Sequence, residues 1–242
     1  MSADPRQQLA AIAGDVHAHL SALRDDGVNS LDVARPRAAP APVAVAVAAP
    51  AVVQLERIAA DVARCTKCSL HKTRTRTVPG QGNSRPDILF IGEAPGADED
   101  QQGLAFVGAA GQLLTKMIRA MGLTREEVFI ANILKCRPPN NRPPLPDEMA
   151  TCMPYLKEQI QALKPKVIVA LGATAVKGLL QLETGITRLR GHWHTFEGID
   201  LMPTFHPAYL LRNPPAKKEA WADLQAVLAR LGRPVPERNA QA

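Results

Sequence analysis

Four short runs of β-branched and aliphatic residues, each followed by a stretch with helical spacing, constrain this chain more than any other feature. "DILFIG" (87–92) precedes the amphipathic "GQLLTKMIRAMG" (111–122), which a glycine ends. "VFIANIL" (128–134) leads through the proline-rich loop "CRPPNNRPPLP" into a helix expected from about Asp147 to Leu163. "KVIVALG" (166–172) runs into a helix across "ATAVKGLL". "IDLMPTFHP" (199–207) closes as strand and loop before a helix over roughly 217–231. Such alternation predicts an α/β fold with a mainly parallel four-stranded sheet covered on both faces. Ligands of such sheets lie beyond the carboxyl ends of the strands. Three conspicuous loops fall at those ends, after Ile91, Ile133 and Phe205.

The sheet region does not fill the 242 residues. Residues 1–33 read as a helical extension, with Leu9, Ile12, Val16, Leu20 and Leu23 recurring at three- and four-residue steps. Residues 34–54, rich in Ala, Pro and Val, read as a low-complexity linker. A domain over 55–232 and a disordered tail over 233–242 complete the division. The net charge of +6 favours an anionic partner such as nucleic acid. No apolar run approaches the roughly 20 residues of a membrane span, and the first twenty residues lack a basic-then-apolar leader pattern. A cytoplasmic, reducing location is therefore expected, and with it cysteines that serve as ligands rather than disulfides.

All four cysteines fit one site. Cys65 and Cys68 form C-x2-C, and fifteen residues separate Cys136 from Cys152. Four thiolates suit Zn²⁺ or an iron–sulfur cluster. A zinc ribbon usually supplies two C-x2-C knuckles, and the single knuckle with a wide second pair leans towards [4Fe-4S]; zinc stands as the alternative. Such a site is closed to substrate, so its expected role is structural.

The loop after the first strand, "GEAPGADED", is neither a phosphate loop nor a dinucleotide loop, and its acids would repel phosphate. Glu93, at a strand's carboxyl end among small residues and proline, suits either general-base work or a turn cap. Phe106 suits either core packing or a platform for a planar ring. Asn132 interrupts an apolar strand, as a structural amide or as a bidentate reader of a base edge. His206 follows the last strand. Together these four residues outline a pocket for a small planar ring.

"GEAPGADEDQQGLAFVGAAGQLL", "ANILKCRPPNNR" and "HPAYLLR", with the four cysteines in register, resemble the family 4, iron–sulfur branch of the uracil-DNA glycosylase superfamily over roughly residues 55–232. The resemblance implies an α/β/α sandwich and a [4Fe-4S] cluster on Cys65, Cys68, Cys136 and Cys152. It implies an enzyme that flips deoxyuridine out of single- or double-stranded DNA and hydrolyses its N-glycosidic bond. Phe106 would stack on uracil, Asn132 would pair with its N3–H and O4, and His206 would donate to O2. The backbone around Ala94 and Pro95 would line the base. Ala94 stands where many superfamily members carry a water-activating Asp or Asn, so the acid is expected to be Glu93, with Glu99 second. Leu210, Leu211 and Arg212 would enter the minor groove, and Arg137, Arg142, Lys217 and Lys218 would meet phosphates. The alternative is a non-catalytic or covalent uracil-DNA binder of the same superfamily. The covalent type uses a histidine in a basic loop after the second strand, and this chain has no histidine between His71 and His192. A monomer is expected, with the N-terminal helix free to recruit a protein partner.

Overall fold

The computed structural model describes residues 5–27 and 50–236. The linker expected over 34–54 lies outside the described residues up to residue 49, and the tail expected over 233–242 does so from residue 237. The chain divides into two units, residues 1–47 and 48–242. The first contains helix α1 (Pro5–Asp25), at the position its apolar spacing predicts.

The second unit begins with α2 (Ala51–Arg64), which buries Ile58 and Val62 and ends at Cys65. Its strands are β1 (Gln81–Gly82), β2 (Ile88–Gly92), β3 (Phe129–Asn132), β4 (Val167–Leu171), β5 (His194–Phe196) and β6 (Ile199–Thr204). They form one sheet in the order β1-β3-β2-β4-β6-β5. The four central strands are parallel, as the alternation of runs implies. Two antiparallel edge strands were not expected. β1 is too short to leave a periodic pattern, and β5 lies in a polar stretch.

Side-chain alternation along the central strands divides the core into two layers. Leu89, Ile91, Ala131, Ile168, Ala170 and Leu201 face α5 (Pro146–Leu163) and α6 (Ala173–Leu180), through residues such as Leu156, Ile160 and Val176. Ile88, Phe90, Ile130, Val169 and Met202 face α4 (Ala109–Ala120) and α9 (Lys217–Arg230), through Leu114, Ile118, Leu224 and Val227. The strands are therefore apolar on both faces, which is why they read as continuous runs. α3 (Ala97–Gln102) and α8 (Pro207–Arg212) follow β2 and β6 directly, and a short helix, α7 (Ile186–Leu189), precedes β5. The loops after β2, β3 and β6 thus meet at one end of the sheet. Among the described residues, no helix is long and apolar enough to cross a membrane.

Candidate active site and cysteine cavity

The centre of the site is a residue with no side chain. Gly92 ends β2 and lies in register beside Asn132 of β3. A Cβ at position 92 would collide with both Asn132 Oδ1 and the Phe106 ring. The ring and the amide therefore share the space above this glycine. Phe106 also approaches His206, with ring centroids 5.7 Å apart and planes inclined by 36°. Phe106, Asn132 and His206 are brought together from three separate segments, with Glu93 next to Gly92.

Asn132 is 1% exposed. Its Oδ1 has no hydrogen-bond partner among the described residues. A buried carbonyl left unpaired costs about 1–3 kcal/mol, so this atom is open to a donor from outside the described protein groups. The strand end around it is fixed. Ile133 N donates to Gly92 O at 3.0 Å and Leu134 N to Glu93 O at 3.1 Å. Lys135 Nζ donates to Asn132 O at 2.8 Å and to Gln159 Oε1 at 2.7 Å.

His206 caps α8, its Nδ1 accepting from Ala208 N at 3.1 Å. A nitrogen that accepts carries no proton, so the neutral ring holds its hydrogen on Nε2 as a donor. Burial, aided by the charge of Arg212, lowers its pKa to about 4 and keeps the ring neutral. Gly172 permits the approach, since a Cβ there would lie 2.8 Å from His206 Cβ.

The two candidate acids differ in what holds them. Glu99 is 8% exposed. Its Oε2 accepts from Gly96 N at 3.0 Å, and its Oε1 from Val107 N and Gly108 N at 2.8 and 2.9 Å. Both oxygens are committed to backbone, a poor arrangement for activating water. The half-buried Glu93 carboxylate makes no hydrogen bond or ion pair among the described residues. Of the loop between them, Pro95 is buried and Ala94 packs on the core.

The expected DNA contacts divide. Leu210 is 1% exposed and packs with Phe205 and Ala220, so its place as a DNA wedge is corrected: it is core. Helical geometry turns the next residue outwards, and Leu211 is 44% exposed. Arg212, Lys217 and Lys218 are exposed. Arg137 Nε donates to Asn141 Oδ1 at 2.7 Å, and Arg142 is paired with the buried Glu148.

The four cysteines line one small cavity together with His71, Arg74, Lys135 and Tyr155. Among the described residues, no group of three or more His, Cys, Asp or Glu is arranged to hold a metal ion. Arg74 Nη1 donates to Cys136 Sγ at 3.1 Å, and Lys135 N donates to Cys152 Sγ at 3.3 Å. Burial pushes the Cys152 thiol up to about 11 and raises Cys136 as well. Donors already aimed at sulfur suit a thiolate centre.

Sequence reasoning missed Lys135 and Arg125. A lysine inside "ANILKC" is the one signal for a buried cation. Arg125 carries none, because its partners, two backbone carbonyls and the Thr115 hydroxyl, are distant in sequence.

The model of the uracil DNA glycosylase superfamily matches residues 79–225. A type-4 uracil-DNA glycosylase of Archaeoglobus fulgidus is 44% identical over 190 residues, covering 75% of this chain and 96% of the relative. One from Thermotoga maritima is 48% identical over 163 residues, covering 66% and 84%. A type-5 uracil-DNA glycosylase of Pyrobaculum aerophilum is 29% identical, covering 57% and 68%.

Proposed function

The chain belongs to the type-4 branch of the uracil-DNA glycosylase superfamily, hydrolases of N-glycosyl bonds that excise uracil from DNA in repair, and from that premise we propose how its own residues carry out the excision. Deoxyuridine leaves the base stack and its ring enters the space above Gly92. Phe106 supports one face of the ring. Asn132 Oδ1 accepts from N3–H while its amide nitrogen donates to O4. Cytosine presents an acceptor at N3 and a donor at the exocyclic nitrogen, the reverse pattern, so it leaves a buried amide mismatched on both atoms.

As the bond from C1′ to N1 breaks, its electron pair leaves with the base and negative charge grows on O2. His206 Nε2–H donates to that oxygen and stays a neutral donor throughout. Positive charge grows on the sugar, where the Glu93 carboxylate stabilises it and takes a proton from the attacking water. The water oxygen joins C1′, uracil leaves, and an abasic site remains. The observation that carries this reading is the buried, unpartnered Asn132 Oδ1 beside the Phe106 ring.

Leu211 is the exposed apolar residue available to hold the gap in the duplex, with Arg212, Lys217 and Lys218 beside it for phosphates. Cys65, Cys68, Cys136 and Cys152 would hold a [4Fe-4S] centre, supported by their shared cavity and by the donors on sulfur. Such a centre supplies a crosslink between the start of the domain, the loop after β3 and α5, and a negative charge beside buried Lys135. Zn²⁺ is the alternative occupant.

The test is a labelled oligonucleotide with one deoxyuridine, incubated with purified protein and then treated with hot alkali to reveal abasic sites. The expected result is uracil-dependent cleavage that falls about 100-fold or more in Glu93→Gln. Binding without cleavage by protein with its metal centre intact would favour the non-catalytic binder.

A further inference from the structure

Phe106 adopts φ +53°, a left-handed conformation that a bulky L residue occupies only under constraint. The constraint is visible on both sides of its turn. Arg125 Nη2 donates to Ala105 O at 2.7 Å and Nη1 to Phe106 O at 3.0 Å. Glu99 Oε1 accepts from Val107 N and Gly108 N. The peptide before Phe106 is thus held at its oxygen, and the peptide after it at both its oxygen and its nitrogen. These two peptide planes define the φ and ψ of Phe106. Arg125 makes no ion pair among the described residues and gives its fork to the turn. Its Nη1 also donates to Thr115 Oγ1 at 3.0 Å, and that hydroxyl donates to Gly111 O at 3.0 Å, tying the turn to α4.

We propose that Arg125 and Glu99 are positioning residues for Phe106, a guanidinium and a carboxylate that grip the turn 105–108 from its carbonyl and amide sides and set the ring where it meets the flipped base. This rests on the stacking role proposed above for Phe106. It assigns Glu99 to backbone geometry rather than to the reacting water, and it gives Arg125 a part in base recognition without a contact to the base.

The test is a double-mutant cycle on single-turnover excision from a saturating single-stranded oligonucleotide holding one deoxyuridine. Affinity for the same strand with thymidine in its place serves as the control. Phe106→Ala is expected to slow excision about 100-fold, and Arg125→Met about 10-fold or more, at unchanged control affinity. The double variant is expected within about 3-fold of Phe106→Ala alone, because a clamp with nothing to position has no further effect. Arg125→Lys, which reaches one carbonyl rather than two, is expected between wild type and Arg125→Met, and it carries the cycle should Arg125→Met fail to fold. Glu99→Gln keeps Oε1 for the amides of Val107 and Gly108 but turns a donor towards Gly96 N, and is expected to lose about as much as Arg125→Met and clearly less than Glu93→Gln. Independent, multiplying losses for Arg125 and Phe106 would overturn the clamp. So would a fall in Glu99→Gln as deep as that of Glu93→Gln, which would make Glu99 the reacting acid. Phe106→Ala at full rate would instead overturn the stacking role. Failure of the clamp alone leaves Phe106→Ala slow and Arg125→Met fast.

Discussion

Two carboxylates six residues apart are chemically alike in sequence and distinct in the fold, and the difference is only what accepts and donates around them. Glu99 spends both oxygens on three backbone amides, whereas the Glu93 carboxylate has no partner among the described residues. The histidine follows the same logic. A ring whose Nδ1 is taken by Ala208 N and whose pKa is lowered to about 4 donates through Nε2 without ever needing a second proton. The pH dependence has a definite sign. The unfolded chain takes up this proton near 6.5 and the folded chain near 4. His206 therefore contributes stability above pH 6.5 that is lost as pH falls from 6.5 towards 4. The single-turnover rate is expected to show no loss from His206 between about pH 6 and 8, with its arm appearing only near 4. A rate that rises as pH falls through 6.5, mirroring imidazolium formation, would contradict the neutral donor.

At the scale of elements, the site depends on how closely α4 and β2 approach the Phe106 turn. Gly111, inside α4, has no room for a side chain, since a Cβ would collide with the Phe106 carbonyl. In an ordinary helix, alanine in place of glycine gains up to about 1 kcal/mol. Here Gly111→Ala is expected to destabilise by about 1–3 kcal/mol and to slow excision, because the turn must move to accommodate it. Denaturant melts and single-turnover rates check both, and a stabilised, fully active variant would show that the turn yields freely. The four central strands and most helices were legible because burial on both faces writes continuous apolar runs. Asn132 and Phe106 stand out because an amide in an apolar strand, or an aromatic among small residues, is out of place locally, while the roles expected of them come from the family resemblance. Leu210 was misassigned because a three-residue stretch cannot reveal which side of one helical turn is buried. Arg125 and the role of Glu99 were illegible because backbone groups, which every residue has, are their partners.

For the whole molecule, the cysteine cavity joins segments far apart in sequence: the end of α2, the loop after β3 and α5. A metal there would close loops of about 70 and 85 residues, from the Cys65–Cys68 pair to Cys136 and to Cys152, and closure of long loops restricts the unfolded chain most. Cys136→Ser is expected to lose metal, visible charge-transfer colour and several degrees of melting temperature before any change in base preference. Metal analysis with thermal melting checks this, and one zinc per chain in a colourless, active protein would assign the cavity to zinc. The central claim concerns a smaller feature, the buried amide beside the aromatic ring. It is tested most directly by Asn132→Ala in single-turnover excision of uracil, alongside affinity for the matching strand without uracil. The expected result is a loss of about 100-fold or more in rate with affinity for the uracil-free strand unchanged. Excision at the wild-type rate would contradict the account.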